Sequence, residues 1–299
     1  MKFLLVGHFC FDVLHPADAP EQEQLGGIYH AAAMLSALAG KADTITPVCG
    51  IAREDFAQVS AAFAALPGVS PDALYKLDSP TNRVHLFPGP KGVATVCSRD
   101  IAPPVPFDRL RRSLKADAIL VNMISGFDIT LETLDQVRMA ARDDAIPIHF
   151  DFHNLTLGVN DRHDRFRRPV EAWRRWAFMV DTVQLNEEEI AGLDERPLSE
   201  EQTVGHILTL GVKGVLVTRG ARGLTVFTDE HKHVARTDVP APPLPEGTLS
   251  EPEEASRRGA PVIAAGDRFG AAFLFHYLKS RNILTAAGDA TRAVTEVHS

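Results

Sequence analysis

The residues best suited to chemistry surround Asp267. The chain reads Ala264-Ala265-Gly266-Asp267 and continues through Phe269 into an apolar stretch with aromatic residues at four-residue spacing, which predicts a buried helix. Unpaired N–H groups at a helix start carry partial positive charge, and small residues let a phosphate approach them closely. A carboxylate there can take the proton of an alcohol as the alcohol attacks phosphorus. An aspartate that only caps the helix has the same pattern, so this segment alone leaves both interpretations open.

Two further polar segments follow predicted strands in the C-terminal half. Asn186 and Glu189 lie in the run Asn-Glu-Glu-Glu, directly after a strand over 182–185. Hard oxygen ligands of this kind suit a hydrated Mg²⁺, and the alternative is an N-capped helix with an acidic first turn. The run Val-Thr-Arg-Gly-Ala-Arg-Gly, residues 217–223, places two glycines after another strand, and by itself it predicts only a turn.

The N-terminal part of the chain offers residues that suit a hydroxylated ligand. Asp12 follows the first predicted strand, and a carboxylate can accept hydrogen bonds from two hydroxyl groups. Gly26 and Gly27 precede a small-residue helix over 31–39, and glycines let the backbone approach a ligand closely. The alternatives are a solvated loop at Asp12 and a plain glycine-rich turn before the helix.

Strands and helices alternate along most of the chain. The predicted strands cover 3–6, 43–48, 118–122, 147–152, 182–185 and 214–218, and the predicted helices cover 31–39, 54–66, 131–142, 169–177 and 270–278. This order predicts an α/β fold with three αβα layers around a mostly parallel central sheet.

Two parts of the chain depart from that alternation. The strand-rich segment 79–98, together with 11–25, predicts a small β lid on one side of the sheet. The segment 240–261 is rich in proline and charge and predicts a flexible insert. We otherwise expect a single domain over 1–299.

The composition is that of an ordinary globular chain of 299 residues, 45% of them hydrophobic. The net charge of −8 argues against non-specific binding to nucleic acid or to an anionic membrane. No apolar run is long enough for a membrane span or a signal segment, so we expect a cytoplasmic protein. Cys10, Cys49 and Cys97 have no metal-binding spacing and are expected to be reduced core thiols.

The segment that ends with Asp267 resembles the C-terminal signature of the ribokinase-like (PfkB) carbohydrate kinases, Asp-Thr-x-Gly-Ala-Gly-Asp-x-Phe. The resemblance implies that Asp267 is the catalytic base and that the amides of Ala264, Ala265 and Gly266 form the anion hole. Ala264 replaces the first glycine of the signature, and Pro-Val at 261–262 replaces Asp-Thr. If the glycine position requires a positive φ, alanine there costs about 1–2 kcal/mol.

Other segments resemble motifs of the same family, and they occur in the family's order. Ala31 stands where many members have asparagine, so the resemblance implies that Tyr29 or His30 lines the substrate pocket instead. Residues 150–154, Phe-Asp-Phe-His-Asn, resemble the family's Asp-x-Asn segment. The residues that the resemblance assigns to the substrate are Asp12, Gly26, Gly27, His30 and Asn154. Those assigned to the nucleotide are Asn186, Thr218, Gly220 and Gly223, and Glu189 is assigned to Mg²⁺ through bound water.

The resemblance implies an ATP-dependent phosphotransferase that acts on a hydroxyl of a small sugar, polyol or nucleoside, with Mg²⁺ as a cofactor. Pairing of lid strands between subunits in the family also allows a homodimer through the lid. Ala264 and the missing Asp-Thr pair motivate the alternative of a degenerate relative that binds nucleotide or polyol with little turnover. A dinucleotide-dependent dehydrogenase is disfavoured, because it requires Gly-x-Gly-x-x-Gly after the first strand, where this chain reads Gly-His-Phe-Cys.

Overall fold

The computed structural model describes residues 1–16, 20–89, 92–231, 233–242 and 264–296. In chain order the strands are β1 (Lys2–Val6), β2 (Phe9–Leu14), β3 (Gln22–Gly27), β4 (Thr44–Val48), β5 (Gly50–Ala52), β6 (Tyr75–Leu77), β7 (Arg83–Gly89), β8 (Gly92–Arg99), β9 (Ala118–Asn122), β10 (Ile148–Asp151), β11 (Leu157–Val159), β12 (Arg165–Arg167), β13 (Thr182–Asn186), β14 (Gly214–Thr218), β15 (Leu224–Glu230) and β16 (His233–Val239). The helices are α1 (Ile28–Leu38), α2 (Phe56–Ala64), α3 (Phe107–Leu110), α4 (Leu131–Arg142), α5 (Trp173–Phe178), α6 (Glu187–Ala191), α7 (Glu200–Thr209), α8 (Ala265–Ser280) and α9 (Ile283–Glu296).

The main sheet has eight strands in the order β16-β15-β14-β13-β10-β9-β1-β4. The strands from β4 to β14 are parallel, and β15 and β16 add two antiparallel strands at one edge. The predicted α/β class with a mostly parallel sheet between helices is therefore confirmed. The sequence analysis did not predict the antiparallel pair, because β16 is exposed along most of its length and has no apolar pattern.

The parallel strands form because apolar residues follow one another without interruption. Leu4 and Val6 of β1 pack into the hydrophobic core on one face of the sheet, and Phe3 and Leu5 pack into the core on the other. Successive side chains of a strand point to opposite faces, so a strand covered by helices on both sides must be apolar at every position. The helices on the two faces thus complete the three layers.

A second sheet has four strands in the order β3-β2-β7-β8. β2 pairs antiparallel with β3 and parallel with β7, and β7 pairs antiparallel with β8. This sheet agrees with the small β lid of the predicted fold class, while the division of the chain into core and lid segments stays a prediction. Of the predicted insert 240–261, only 240–242 lie within the described residues.

The helix predicted over 169–177 is observed only as α5, Trp173–Phe178, so its predicted start was wrong. Ala172 has φ 51 and ψ 32, a left-handed conformation that keeps the preceding residues out of the helix. None of the helices in the described ranges combines the length and the apolar character needed to cross a membrane.

The parallel strands place several polar residues at one edge of the main sheet. The C-terminal ends of neighbouring parallel strands lie side by side, and ligands of open α/β sheets bind at that edge. The polar residues at these strand ends are Asn122 of β9, Asp151 of β10, Asn186 of β13 and Thr218 of β14. This edge is therefore where the functional residues must be sought.

We predict that Gly27→Ala lowers the free energy of unfolding by about 1–3 kcal/mol, because an alanine must adopt a conformation reserved for glycine. Gly27 has φ 60 and ψ −133, and a Cβ atom there would lie 2.5 Å from the carbonyl oxygen of His8. Urea denaturation measures the change. Gly205→Ala is the control: no atom lies within 4 Å of the added Cβ, and in a helix the exchange should stabilise by roughly 0.5–1 kcal/mol. Equal effects of the two exchanges would contradict the prediction.

Candidate active site

Asp267 lies in the first turn of α8, and its side chain is buried. Nδ2 of Asn122 donates a 2.8 Å hydrogen bond to Oδ1 of Asp267. This bond joins the C-terminal edge of the main sheet to the start of α8, because Asn122 is the last residue of β9. Within the described residues, Oδ1 of Asn122 is buried and has no hydrogen-bond partner. Asp267 is thus held in a fixed orientation beside an acceptor atom that a ligand hydroxyl can satisfy.

Ala264 forms the turn that leads into α8. It has φ 62 and ψ 13, in the left-handed region where a Cβ atom costs about 1–2 kcal/mol. Its carbonyl oxygen accepts the first α-helical hydrogen bond, from the N–H of Arg268 at 3.0 Å. The first N–H groups of α8, those of Ala265, Gly266 and Asp267, have no acceptor inside the helix and are suited to an anion.

Gln184, on β13, connects this turn to a second carboxylate. Its Nε2 donates to the carbonyl oxygen of Gly266 at 3.0 Å and to Oδ2 of Asp151 at 2.9 Å. A Cβ atom at Gly270 would lie 3.0 Å from Oε1 of Gln184, so the small residue lets α8 pack closely on the sheet. The position of the turn is therefore fixed by the sheet below it.

Asp151 and His153 lie beside Asp267. One ligand atom from each of these three residues lies within 4.8 Å of the other two. Burial raises the pKa of Asp151 well above its usual value, and the charges of Glu189 and Asp267 raise it further, against the opposing effect of His153. Burial alone would lower the pKa of His153, but the carboxylates of Asp267, Asp151 and Glu189 raise it overall. The sequence analysis had assigned only Asn154 from this segment.

Asn186 and Glu189 hold each other in a reciprocal cap at the start of α6. The Glu189 carboxylate accepts the backbone N–H and the Nδ2 of Asn186, both at 2.7 Å, and Oδ1 of Asn186 accepts the N–H of Glu189 at 2.9 Å. Burial raises the pKa of Glu189. The helix-cap interpretation is thus present in the structure. It does not exclude an indirect metal role, because each carboxylate oxygen retains a second lone pair.

The donor set fits a divalent cation. Asp151 and Glu189 offer hard carboxylate oxygens, and a cation near them would offset the charge repulsion that adds to burial in raising the pKa of Asp151. These two residues would hold a Mg²⁺ ion directly or through its bound water, which leaves Asp267 free to accept a proton. Such an ion would neutralise negative charge on phosphoryl oxygens.

The predicted nucleotide residues Thr218, Gly220 and Gly223 lie after β14. Oγ1 of Thr218 donates to a main-chain carbonyl on β13 at 3.4 Å. Gly220 has φ 58 and no atom within 4 Å of an added Cβ. Gly223 has φ 89, and its added Cβ would lie 2.1 Å from the carbonyl oxygen of Val239. Packing against the end of β16 thus explains Gly223, and a nucleotide role for these residues stays a prediction.

Asp12 and His30 form a second polar pair, between β2 and α1. Nε2 of His30 lies 3.1 Å from Oδ2 of Asp12. A Cβ atom at Gly26 would lie 2.5 Å from the same oxygen, so this glycine makes room for the carboxylate. Cys10 lies near this pair and near Asp267: burial raises the pKa of its thiol well above the usual value, and the charges of Asp12 and Asp267 raise it further. Asp12, which was predicted to bind the substrate, and Asp267, the predicted base, thus lie near the same buried thiol.

Asn82 was not identified from the sequence. Its side chain is buried, and neither amide atom has a partner in the described part of the chain. The main-chain carbonyl oxygen of Asn82 accepts a hydrogen bond from the N–H of Phe11, and the next residue, Arg83, pairs with Phe11 in the second sheet. Alternation along the strand therefore places Asn82 on the face that carries Cys10 and Asp12. A lone asparagine outside any motif gives no sequence signal, so only the fold reveals it.

Asn154 has a structural contact that the sequence did not indicate. Its Nδ2 donates to the carbonyl oxygen of Ile124 at 2.5 Å, and its backbone N–H donates to that of Met123 at 3.0 Å. The residue thus braces the loop after β9, and its assignment to the substrate stays a prediction.

A Ser-His-Asp cluster also supports this loop. Oγ of Ser125 lies 2.8 Å from Nδ1 of His8 and 3.1 Å from Oδ2 of Asp128. Nε2 of His8 faces the carbonyl oxygen of Pro103 at 3.2 Å, and all three side chains are buried. The Asp128 carboxylate also accepts backbone N–H groups of His8, Ser125 and Gly126. The cluster therefore holds the loop after β9 in place. Its serine hydroxyl is not positioned as a nucleophile, because it is enclosed and already hydrogen-bonded.

We predict that Asp151→Asn makes the protein more stable at high pH. The raised folded-state pKa of Asp151 means that the folded form binds this proton more tightly, so wild-type stability falls as pH rises above about 4 through the folded-state pKa. Asparagine keeps an oxygen for Nε2 of Gln184. Urea unfolding from about pH 5 to pH 9 should show a flatter profile for the variant. The exposed Asp143→Asn is the control, and parallel profiles for Asp151→Asn and wild type would contradict the prediction.

No protein-family model matches the chain, and no curated protein matches it significantly. Solved structures do match. A sulfate complex of a pyrophosphate-dependent kinase in the ribokinase family has a TM-score of 0.75 at 18% identity, over 99% of this chain and 94% of that chain. A ribokinase-family pyrophosphate-dependent kinase in complex with a pyrophosphate analogue and myo-inositol has a TM-score of 0.73 at 17% identity, over 99% and 94%.

Two further structures have ligands of other kinds. Ribokinase from Arabidopsis thaliana, complexed with ribose and ATP, has a TM-score of 0.68 at 18% identity, over 98% of this chain and 91% of that chain. A nucleoside kinase from Burkholderia thailandensis, in complex with inosine, has a TM-score of 0.71 at 14% identity, over 99% and 90%. Nearly the whole chain is covered in each comparison, and the chain therefore has the ribokinase-like fold, the fold of the ribokinase-family kinases.

Proposed function

We propose that this protein is a kinase that transfers a phosphoryl group to a hydroxyl of a small sugar, polyol or nucleoside. One observation carries the proposal: Asp267 is buried in the first turn of α8, hydrogen-bonded by Asn122, directly after a left-handed turn of small residues. A helix cap needs no such support from a distant strand, whereas a general base must be held in one orientation.

The proposed reaction is an in-line displacement at phosphorus. The acceptor oxygen forms a bond to phosphorus, the bond to the leaving phosphate oxygen breaks, and the hydroxyl proton passes to Asp267. Asn122 donates to Oδ1 of Asp267, so Oδ2 is the oxygen that takes the proton. The N–H groups of Ala265, Gly266 and Asp267 stabilise negative charge on the transferring group.

The acceptor is proposed to bind between the second sheet and the edge of the main sheet. Asp12 and His30 offer a paired acceptor and donor, and Asn82 and Asn122 have buried amide atoms without partners in the described chain. Unpaired buried amides are costly, and hydroxyl groups of a ligand can satisfy both their donors and their acceptors. The complexes of the similar kinases with myo-inositol, ribose and inosine support a polyhydroxylated substrate.

For the donor we propose ATP with Mg²⁺. Among the similar structures, a ribokinase is complexed with ATP, whereas others are pyrophosphate-dependent kinases. Both donors present a terminal phosphoryl group to the same turn, so the donor must be determined by assay with each. Asp151 and Glu189 are the residues proposed to hold the metal, and Asp267 is kept for the hydroxyl proton.

We predict that Asp267→Asn lowers phosphoryl transfer roughly 10²–10⁴-fold, because the variant cannot accept the hydroxyl proton. Transfer to ribose, myo-inositol and inosine should be measured with ATP and with pyrophosphate in turn. Asp135→Asn, on α4, is the control and should keep wild-type activity. Wild-type rates in Asp267→Asn would overturn the proposal. Binding of these compounds without transfer by the wild type would instead support the alternative of a binding protein with little turnover.

We predict that Ala264→Gly raises the free energy of unfolding by about 1–2 kcal/mol, because glycine adopts the left-handed conformation of this turn without strain. Thermal and urea denaturation measure the gain. Ala265→Gly is the matched control: its φ is not positive, so glycine there should destabilise the start of α8, by roughly 0.5–1 kcal/mol. Equal losses in both variants would contradict the prediction. A gain in turnover in Ala264→Gly alone would indicate that the alanine limits the anion hole.

A further inference from the structure

Arg165, at the start of β12, has a guanidinium group with unused donors. Its Nη2 donates to the carbonyl oxygen of Ser125 at 2.7 Å and faces that of Asn154 at 3.4 Å. Its Nε and Nη1 are buried and have no hydrogen-bond partner in the part of the chain that the structure describes. A buried donor without an acceptor is costly, and for a charged group the cost is larger still. The side chain therefore has donors that the described part of the chain does not use.

The position of Arg165 links it to the acceptor side of the site. Ser125 follows Asn122 in the loop after β9, and Asn154 follows Asp151 and His153 after β10. The β11–β12 hairpin is in turn joined to the second sheet, because the N–H of Ser98, on β8, donates to a carbonyl oxygen of the hairpin at 3.0 Å. Arg165 thus lies where the second sheet meets the two loops that support the base and its neighbours.

Within the described ranges, no carboxylate forms an ion pair with Arg165. The charge of Asp128 raises the pKa of Arg165. The Asp128 oxygens, however, already accept hydrogen bonds from backbone N–H groups and from Ser125. Arg168 adds a second positive charge: its guanidinium lies over the ring of Phe127, 5.5 Å from the centroid, and its Nε is buried without a partner among the described residues. Burial lowers the pKa of Arg165 to about 10, and Arg168 lowers it too, so the group remains protonated near neutral pH.

We propose that the acceptor substrate carries an anionic group, a carboxylate or a phosphate, in addition to its hydroxyls, and that Arg165 binds this group with the help of Arg168. The planar fork of a guanidinium matches either oxyanion, and a ligand oxyanion would satisfy the unused N–H donors. The donor phosphates have the amides of the 264–267 turn, so this second cationic site is left for the acceptor. The inference rests on the proposed kinase function and narrows its substrate class.

The test compares charged and neutral ligands of similar size. D-Gluconate is paired with D-glucitol, and ribose 5-phosphate is paired with ribose. Isothermal titration of the wild-type chain should show tighter binding of a charged member than of its neutral partner, by roughly 10- to 100-fold. The gluconate arm reports a carboxylate substrate and the ribose 5-phosphate arm a phosphorylated one. Equal binding of both members in both pairs overturns the proposal.

Variants then assign the effect to Arg165. Arg165→Gln should remove most of the charged-over-neutral preference, whereas Arg165→Lys should keep part of it. Arg162→Gln is the matched control, because it removes an equal charge from an exposed position on the same hairpin. A preference that survives Arg165→Gln, or that Arg162→Gln reduces equally, overturns the proposal. Arg168→Gln leaves the contacts of Arg165 with the loops in place and should weaken the charged-over-neutral preference. It serves as the test if Arg165→Gln does not fold.

Titration and turnover separate this inference from the proposed function. Anion binding that depends on Arg165, without phosphoryl transfer from ATP or pyrophosphate, would overturn the kinase proposal and leave the anion site standing. Transfer to neutral polyols, with no preference for charged ones, would support the kinase and overturn the anion site.

Discussion

The hydrogen bond from Asn122 to Asp267 is the contact on which the site depends. It joins the end of a central strand to the first turn of a helix that is far away in the sequence. A Cβ atom at Gly7, directly after β1, would lie 2.6 Å from the carbonyl oxygen of Asn122, so this glycine lets the ends of β1 and β9 lie close together beneath that bond. Gln184 joins the same turn to β13, which lies two strands along the sheet from β9. The turn, Asp267 and the sheet edge thus form one rigid unit, which is the fixed geometry that the proposed catalysis would require.

The site has one group of acidic side chains and a separate group of basic side chains. Asp151, Glu189 and Asp267 place three carboxyl groups beside the turn, and burial raises the pKa of Asp151, with a further rise from the charges of Glu189 and Asp267. Arg165 and Arg168 gather positive charge beside the loop after β9. Buried groups of like charge weaken the unliganded fold, so ligands of the opposite charge should bind and stabilise it together. The same buried charges therefore affect both the stability of the fold and the binding of charged ligands.

The sequence predicted the local elements well and the long-range contacts poorly. Leu131–Arg142 and Gly214–Thr218 have the predicted bounds, because apolar periodicity and caps are local signals. Asp267 likewise lies in the first turn of its helix, as its motif indicated. The bond from Asn122, by contrast, joins residues that no spacing connects. Arg165 could not be identified at all, since N–H donors that find no acceptor among the described residues are recognised only when the surroundings of the side chain are known.

Other site features were visible only in part. The sequence analysis treated a positive φ at Ala264 only as a condition, and the structure has it. The reciprocal cap of Asn186 and Glu189 shows that the two interpretations of that segment are compatible, because a cap leaves lone pairs on the carboxylate. Gly223 has a packing reason that no turn pattern contains, namely the close approach of β16. The sequence thus indicates which residue types recur, and packing decides which of them are needed for ligand binding.

The burial of Cys10 makes it a natural reporter of motion. This thiol is 1% exposed, and two aspartates suppress the thiolate that an alkylating reagent would attack. Reagent can therefore reach the thiol only when the packing around it opens. In a chain whose more accessible Cys97 has been replaced, the rate of labelling of Cys10 measures how often this packing opens. Any molecule that bridges the two sheets lowers that rate.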